Sequence, residues 1–443
     1  MVTTSPHHSH PLSRLPMLLF IAWRNIWRNP VRSLLTIAAL GGGVVMVILY
    51  AAFLEGMTRQ MVQYATEIST GQMQLHRQSF VDDQDLYATL PWHYIERIER
   101  RLPEVVAAPR LYAAGLASAG DNSSGVMIKA IDPLRERRVT KMLDHLRSGE
   151  ARFDAVSSNE GVERRYNVVI GTQMARNMHL NIGDELVLIT QAADGSIGNA
   201  LFRIGGVLRP VEPNFDRMGV LMSIEAYQQL MYLEEGFHEL ALWTQDLTAL
   251  EQPQQPQQHV ASLLTELHAE QPLDELGGAA MVRNWRQLTP AIADMLELSK
   301  AMVIIVGFII VGLASLGMLN TMLMAVHERT HEFGILLSIG MSRWWLLLMV
   351  LFESLFLALI SAVIGSIAGT FVARYFEQYG IDFSGSMPDG YDWGGIVFEP
   401  VMRGHFEPQH LLSSSLLMIT IAMLASLIPS WRTVRMKPAE VLR

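Results

Sequence analysis

Long polar stretches along this chain are broken by apolar runs, four of them long enough to cross a membrane. Residues 34–54, 301–326 and 411–429 contain no Asp, Glu, Lys or Arg, and 344–373 contains a single acid, Glu353. About 20 apolar residues in a helix cover the roughly 30 Å hydrocarbon core of a bilayer, so each run predicts a transmembrane helix. A fifth run, 15–23, is too short to span and continues into Arg24, Trp27 and Arg28. That pattern predicts a helix lying along the membrane surface. No small-residue cleavage site follows it, which disfavours a secretory signal peptide.

Basic residues next to the runs set an expected orientation, because they collect on the cytoplasmic side. Arg14, Arg24, Arg28 and Arg32 precede the first run, and Arg329 and Arg343 separate the second from the third. Arg432, Arg435, Lys437 and Arg443 follow the fourth, whereas 374–410 has only Arg374 and Arg403 against six acids. Both termini are therefore expected in the cytoplasm. The expected order is a cytoplasmic tail and interfacial elbow helix (1–33), a first span (34–54), an extracytoplasmic domain (55–300) and a second span (301–326). A cytoplasmic segment (327–343), a third span (344–373), a second outer loop (374–410), a fourth span (411–429) and a cytoplasmic tail (430–443) complete it.

The large outer segment carries the mixed signals of an α+β domain. Residues 168–171, 185–190, 202–208 and 219–223 read as short strands separated by Gly- and Asp-marked turns, and 173–180 reads as a short helix. The tract 251–258 (EQPQQPQQ) is a linker or helix start, and 259–300 is expected to return helically to the membrane. No internal repeat and no convincing catalytic set is visible. The fold class expected is thus an α-helical membrane protein with four transmembrane helices and a large α+β domain inserted between the first two.

Composition narrows the function classes. Half the residues are hydrophobic and 17% are charged, against about 25% charged in soluble domains; mean hydropathy is +0.22. A purely soluble enzyme is disfavoured. Lys and Arg total 34 against 43 Asp and Glu, a net charge of −9, which argues against a nucleic-acid partner, since such proteins present a basic face. With no cysteine, disulfides, thiolate metal sites and a Cys nucleophile are excluded.

Several motifs could carry chemistry. His327, Glu328 and His331 match H-E-x-x-H, the zinc-protease spacing that puts two imidazoles on one helix face, and Asp389 in an M-P-D-G run would offer a third ligand. The expected topology opposes this intramembrane metalloprotease reading: it places His327 inside and Asp389 outside, a bilayer apart, whereas zinc ligands lie about 2 Å from one metal. His7, His8 and His10 sit in a tail without a scaffold. Glu353, ionisable within an apolar run, is a possible intramembrane polar site or a contact to a neighbouring helix. Ser361, Gly365 and Gly369 form a small-xxx-small ridge for close helix packing, expected to serve oligomerisation. A phosphate-binding loop needs Lys after Gly; the four lysines, Lys129, Lys141, Lys300 and Lys437, follow Ile, Thr, Ser and Met. ATP hydrolysis by that route is therefore expected in another subunit.

Taken together, these segments resemble the FtsX-like permease domain, shared with macrolide exporters of the MacB type and lipoprotein-releasing permeases of the Lol type. The segment 327–343 (HERTHEFGILLSIGMSR) resembles the family's E-R-x-x-E-[FI]-G signature after the second span. The tail 428–443 (IPSWRTVRMKPAEVLR) is similar to its P-x-W-R ending, 168–189 to its strand-helix-strand stretch, and 25–40 to its N-terminal elbow. Within that pattern Glu328, Arg329, Glu332, Phe333 and Gly334 are accounted for together, and His327 and His331 occupy variable positions. The resemblance implies a non-catalytic permease subunit of the bacterial inner membrane, with its large domain in the periplasm. It implies no cofactor on this chain, and ATP and magnesium on two copies of a cytoplasmic ATPase. Glu328, Arg329, Glu332, Phe333, Gly334 and Gly340 would form the segment docking on that ATPase. Other implied partners are membrane lipid, a second permease chain (a copy or a paralogue) and a periplasmic acceptor or adaptor. The Lol-type arrangement fits best, with a lipoprotein or other amphipathic molecule extracted from the membrane. The alternative is an FtsX-like non-transporting regulator of an extracytoplasmic enzyme.

Overall fold

A computed structural model describes residues 15–157, 164–233, 235–245, 250, 252–270, 273, 277–386, 391–393, 396–398 and 401–435. The chain divides into two compact units. One comprises residues 1–59, 296–385 and 401–443, the other 60–295 and 386–400.

The first unit is helical. Its helices are α1 (Leu15–Ile26), α2 (Pro30–Tyr64), α3 (Pro290–Glu328), α4 (Thr330–Ser338), α5 (Arg343–Tyr379) and α6 (Pro408–Val434). Four of these, α2, α3, α5 and α6, are long and apolar enough to cross a membrane. Each overruns its apolar core. The 39 residues of α3 extend about 58 Å at 1.5 Å per residue, nearly twice the hydrocarbon thickness. Amphipathic α1 buries Leu18, Ala22 and Ile26, one residue per turn, while Met17, Phe20 and Trp23 stay exposed. Trp23 meets Phe356 of α5 edge-on at 5.5 Å.

Close packing in this unit depends on small residues, since helices in lipid gain little from apolar burial against one another. Ser361, Gly365 and Gly369 lie buried on one face of α5, and the partner they meet is α2. A Cβ on Gly365 would stand 2.7 Å from the Gly41 carbonyl oxygen and 2.8 Å from Val44 Cβ; one on Gly369 would stand 2.8 Å from Ile48 Cδ1. The ridge expected to join two chains is thus occupied within this one. Gly56 is similarly constrained, its Cβ position 2.1 Å from the Arg403 carbonyl oxygen.

The second unit is built on an eleven-stranded mixed sheet. Its strands are β1 (Met73–Arg77), β2 (Val105–Ala119), β3 (Asn122–Ile131), β4 (Leu146–Gly149), β5 (Ala155–Ser157), β6 (Arg164–Gly171), β7 (Glu185–Gln191), β8 (Ile197–Leu208), β9 (Gly219–Ser223), β10 (Glu239–Thr244) and β11 (Ala280–Asn284). The order is β11-β1-β10-β2-β3-β9-β6-β8-β4, with β5 on β6 and β7 against β2 and β8. Only β3–β9 and β6–β8 run parallel among the pairs described. The β2–β3 hairpin turns on Gly120 and Asp121, with Gly120 at φ +55°, a backbone position that glycine adopts without a Cβ penalty. Residues 254–270 form a helix, so the proline-glutamine tract is a helix start. The stretch 259–300 is not helical throughout: β11 interrupts it and pairs with β1. A short helix, Trp285–Leu288, follows, started by an Asn284–Gln287 capping box.

One face of this sheet buries a charged network rather than a purely apolar core. Arg110 on β2 donates from Nε and Nη2 to both oxygens of Glu136 at 3.1 and 2.6 Å, and from Nη1 to Glu239 at 2.7 Å. Thr140 Oγ1 donates to Glu136 at 2.6 Å, and Tyr112 Oη to Glu239 at 3.2 Å. Burial alone would raise the Glu136 carboxyl; the Arg110 guanidinium outweighs it and holds the group below its usual 4.5. His238 accepts from the Tyr112 backbone N–H at 2.9 Å and donates from Nε2 to the Leu86 carbonyl at 2.7 Å. That arrangement fixes a neutral ring, and burial lowers its pKa from 6.5.

Candidate coupling site

The segment between α3 and α5 is where the sequence concentrated its charged motif, and the structure shows what those charges do. The α3 helix stops at Glu328 and α4 starts at Thr330, with Arg329 at the break in a non-helical conformation (φ −97°, ψ 11°). The backbone turn lets three side chains reach three different elements. Arg329 Nη1 donates to Glu353 of α5 at 3.2 Å, and Nη2 donates to the Asn25 carbonyl of α1 at 3.2 Å. Arg32 at the start of α2 donates to Glu328 at 2.7 Å. Arg28, between α1 and α2, forms a forked pair with Glu332 of α4, one arm at 2.8 Å.

These pairs differ in character. Arg329 and Glu353 are 12% and 9% exposed, whereas Arg28 and Glu332 are largely in solvent. The hydrogen bond from Arg28 holds the Glu332 carboxyl below its usual 4.5, and Glu332 in turn raises Arg28. A buried pair is strongly coupled because each charge left alone would be desolvated without compensation; an exposed one contributes little. Glu353, which the sequence marked as an ionisable group in an apolar run, is thus the α5 anchor of this clasp.

The apolar members of the motif split into two groups. Phe333 and Gly334 are buried, and Phe333 joins the apolar cluster that contains Leu346, Met349 and Val350 of α5. Phe333 therefore seats α4 and does not face outward. The outward face carries His331 and Ile335 of α4 and Ile339 just past its end, spaced every four residues, with Ile335 41% and Ile339 78% exposed. Gly340 ends the segment at φ +103°, the left-handed region that lets the chain turn into α5 at no steric cost. The sequence missed Arg28 and Arg32 as partners because their charge reads equally well as an orientation signal, and Asn25 because it contributes only its backbone carbonyl. It missed Ile335 and Ile339 because apolar residues next to a span read as more span; the four-residue spacing from His331 was the available clue.

The zinc reading loses its scaffold here. His327 and His331 fall on either side of the break at Arg329, off any one continuous helix, and the Glu328 carboxylate is held by Arg32. Asp389, the His7–His10 region and residues 436–443 of the C-terminal tail lie outside the described residues.

Comparison with known proteins places the chain. The FtsX-like permease C-terminal family matches residues 304–438, and the MacB-like periplasmic core domain family matches residues 33–256. The chain is 22% identical over 328 residues to the lipoprotein-releasing system transmembrane protein LolC of Neisseria meningitidis, an overlap covering 71% of each chain. It is 24% identical over 351 residues to the macrolide export ATP-binding/permease protein MacB of Nitrosomonas europaea, covering 75% of this chain and 48% of that one; it spans about half of that relative's length. The crystal structure of the periplasmic region of MacB from Actinobacillus actinomycetemcomitans aligns over 50% of this chain and 92% of that one, at 12% identity and a TM-score of 0.33. Permeases of this family are bacterial inner-membrane proteins with a periplasmic domain that work with a cytoplasmic ATPase. With both halves matched in sequence order and four apolar helices around an inserted α/β unit, the chain belongs to the family of FtsX-like permeases with a MacB-like periplasmic core, the permease components of MacB/LolC-type ABC transporters.

Proposed function

We propose that this chain converts ATP-driven closure of a separate cytoplasmic ATPase into motion of its extracytoplasmic domain, and that the motion extracts a lipoprotein or other amphipathic molecule from the inner membrane. Both termini are cytoplasmic in this reading, and a second permease chain, a copy or a paralogue, completes the complex. The observation that carries it is the clasp: α4 presents Ile335 and Ile339 outward while Arg329, Glu332 and Phe333 bind it to α1 and α5. A displacement applied to the exposed face reaches α1 and α5 through those contacts, and α3 through the one-residue link at Arg329. Glu328, Arg329, Glu332, Phe333, Gly334 and Gly340 thus act in docking by holding and shaping the helix, and the two isoleucines make the contact. Similarity to LolC supports the lipoprotein as cargo.

The test is a release assay. The chain is co-expressed with its ATPase, reconstituted in liposomes with a triacylated lipoprotein, and supplied with ATP and magnesium. The proposal expects ATP-dependent transfer of lipoprotein to a soluble acceptor fraction, abolished by Ile335→Glu together with Ile339→Glu. An active ATPase complex that leaves every lipidated or amphipathic cargo in the liposome would overturn the extraction reading.

A further inference from the structure

At the end of α5 opposite the clasp, a cavity of about 350 Å³ is lined by Arg374, Glu377 and Gln378 of α5 and by Phe406 and Pro408 at the start of α6. Its size suits a small ligand, and its walls carry unmatched polar groups. The Arg374 guanidinium lies over the Phe406 ring at 5.8 Å and makes no hydrogen bond or ion pair among the described residues. Glu377 Oε1 accepts from the Phe406 backbone N–H at 3.3 Å and lies 3.1 Å from His405 Nδ1, leaving Oε2 without a protein donor among those residues. An unopposed cation and an available carboxylate oxygen therefore flank one small cavity.

What lies beside this cavity points to the kind of ligand. Ile364, Ile367 and Phe371 precede Arg374 at intervals of three, four and three residues, which puts all four on one face of α5. The three apolar side chains are all more than half exposed, Phe371 at 74%. On the other wall, Leu412 and Leu416 follow Pro408 at four-residue intervals and are also exposed. Both walls thus run from a polar cavity into bare apolar stripes that point toward the middle of the span. Tyr375 and Tyr379 sit exposed at the same level, as aromatic residues do at a membrane–water boundary.

We propose that this cavity binds the zwitterionic headgroup of a membrane phospholipid, with the phosphate on Arg374 and Gln378 and the ammonium toward Glu377, while the acyl chains lie along the two stripes. The site needs only that α5 and α6 span the membrane, so it stands or falls separately from the ATPase coupling and the cargo.

The experiment is native mass spectrometry of the full chain in a gentle detergent, with three probes that share parts of one molecule: phosphatidylethanolamine, the matching diacylglycerol, and soluble glycerophosphoethanolamine. The expected result is one retained phosphatidylethanolamine per chain, reduced about tenfold by Arg374→Gln, the loss of a charge-assisted phosphate contact. Arg343→Gln, at the other end of the same helix, leaves it unchanged. Equal retention by the Arg374→Gln chain overturns the proposal. Retention of diacylglycerol as strong as that of phosphatidylethanolamine does so as well, because tails alone would suffice. Displacement of the lipid by equimolar glycerophosphoethanolamine also overturns it, assigning the cavity to a soluble phosphoester.

Discussion

Replacing Arg329 with alanine removes the two contacts to Glu353 and the one to the Asn25 carbonyl, and leaves the carboxylate without its ion-pair partner at 9% side-chain exposure. Breaking one side of a buried pair costs about 3–5 kcal/mol, whereas replacing both partners with apolar residues is often close to neutral. An exposed pair contributes at most about 1 kcal/mol, and Arg28–Glu332, at 56% and 45% exposure, falls in that class. The magnitudes therefore order three variants: Arg329→Ala the most damaging, the double variant Arg329→Met with Glu353→Met much less so, and Arg28→Ala nearly silent. The assay is unfolding of the purified chain in mixed micelles of increasing SDS fraction, followed by tryptophan fluorescence. A double-mutant cycle across Arg329 and Glu353 should return a coupling of at least about 2 kcal/mol. Additive single effects, or a loss below about 1 kcal/mol for Arg329→Ala, would refute the idea that this pair holds the segment in place.

Three further outcomes follow from the same physics. In the outer unit, Arg110→Met strands Glu136 and Glu239 in the sheet core and should cost about 3–5 kcal/mol, read as a lower thermal midpoint of the full chain. The same unit should weaken on acidification. His238 is held below 6.5 and Glu136 below 4.5 in the fold, so the unfolded state binds more protons in both ranges and their contributions fade as pH drops through the folded values; a midpoint constant from above 6.5 to below 4.5 would contradict this. Gly365→Ala drives a methyl against the Gly41 carbonyl and Val44 and should destabilise by about 1–3 kcal/mol, while Gly42→Ala, with open space around it, should not; equal effects in the SDS assay would mean α2 and α5 do not approach this closely.

How much of this was legible in the sequence depends on how local its cause is. The four spans and the α1 elbow follow from hydropathy, a property of consecutive residues, as do the strands corresponding to β6, β7, β8 and β9, which have β-branched and apolar runs between marked turns. The strand β2 was not legible. Its sequence, VVAAPRLYAAGLASA, is rich in Ala and Gly and carries Pro109 opposite Leu240 in the middle of the sheet, where local preference argues against a strand. Burial between β3 and β10 decides it instead. β11 was hidden for a similar reason, being five residues between two helices that gain a partner only when β1 is in place. At the coupling site the identities Glu328, Arg329 and Glu332 stood out, but their partners are about 300 residues away in sequence. No local pattern encodes which arginine meets which glutamate. The small-residue ridge of α5 was legible as a close-packing face and silent about its partner, because a stripe that fits another chain also fits α2.

The most direct test of the coupling account is site-specific photo-crosslinking in cells. A photoreactive amino acid is placed singly at Ile335, Ile339 and Phe333, and the products are identified by mass spectrometry. The account predicts capture of a P-loop ATPase from positions 335 and 339, which are exposed, and none from 333, which is buried against α5. Capture from 333 alone, or no ATPase from any of the three, would mean that the outward face of α4 is not where the motor acts.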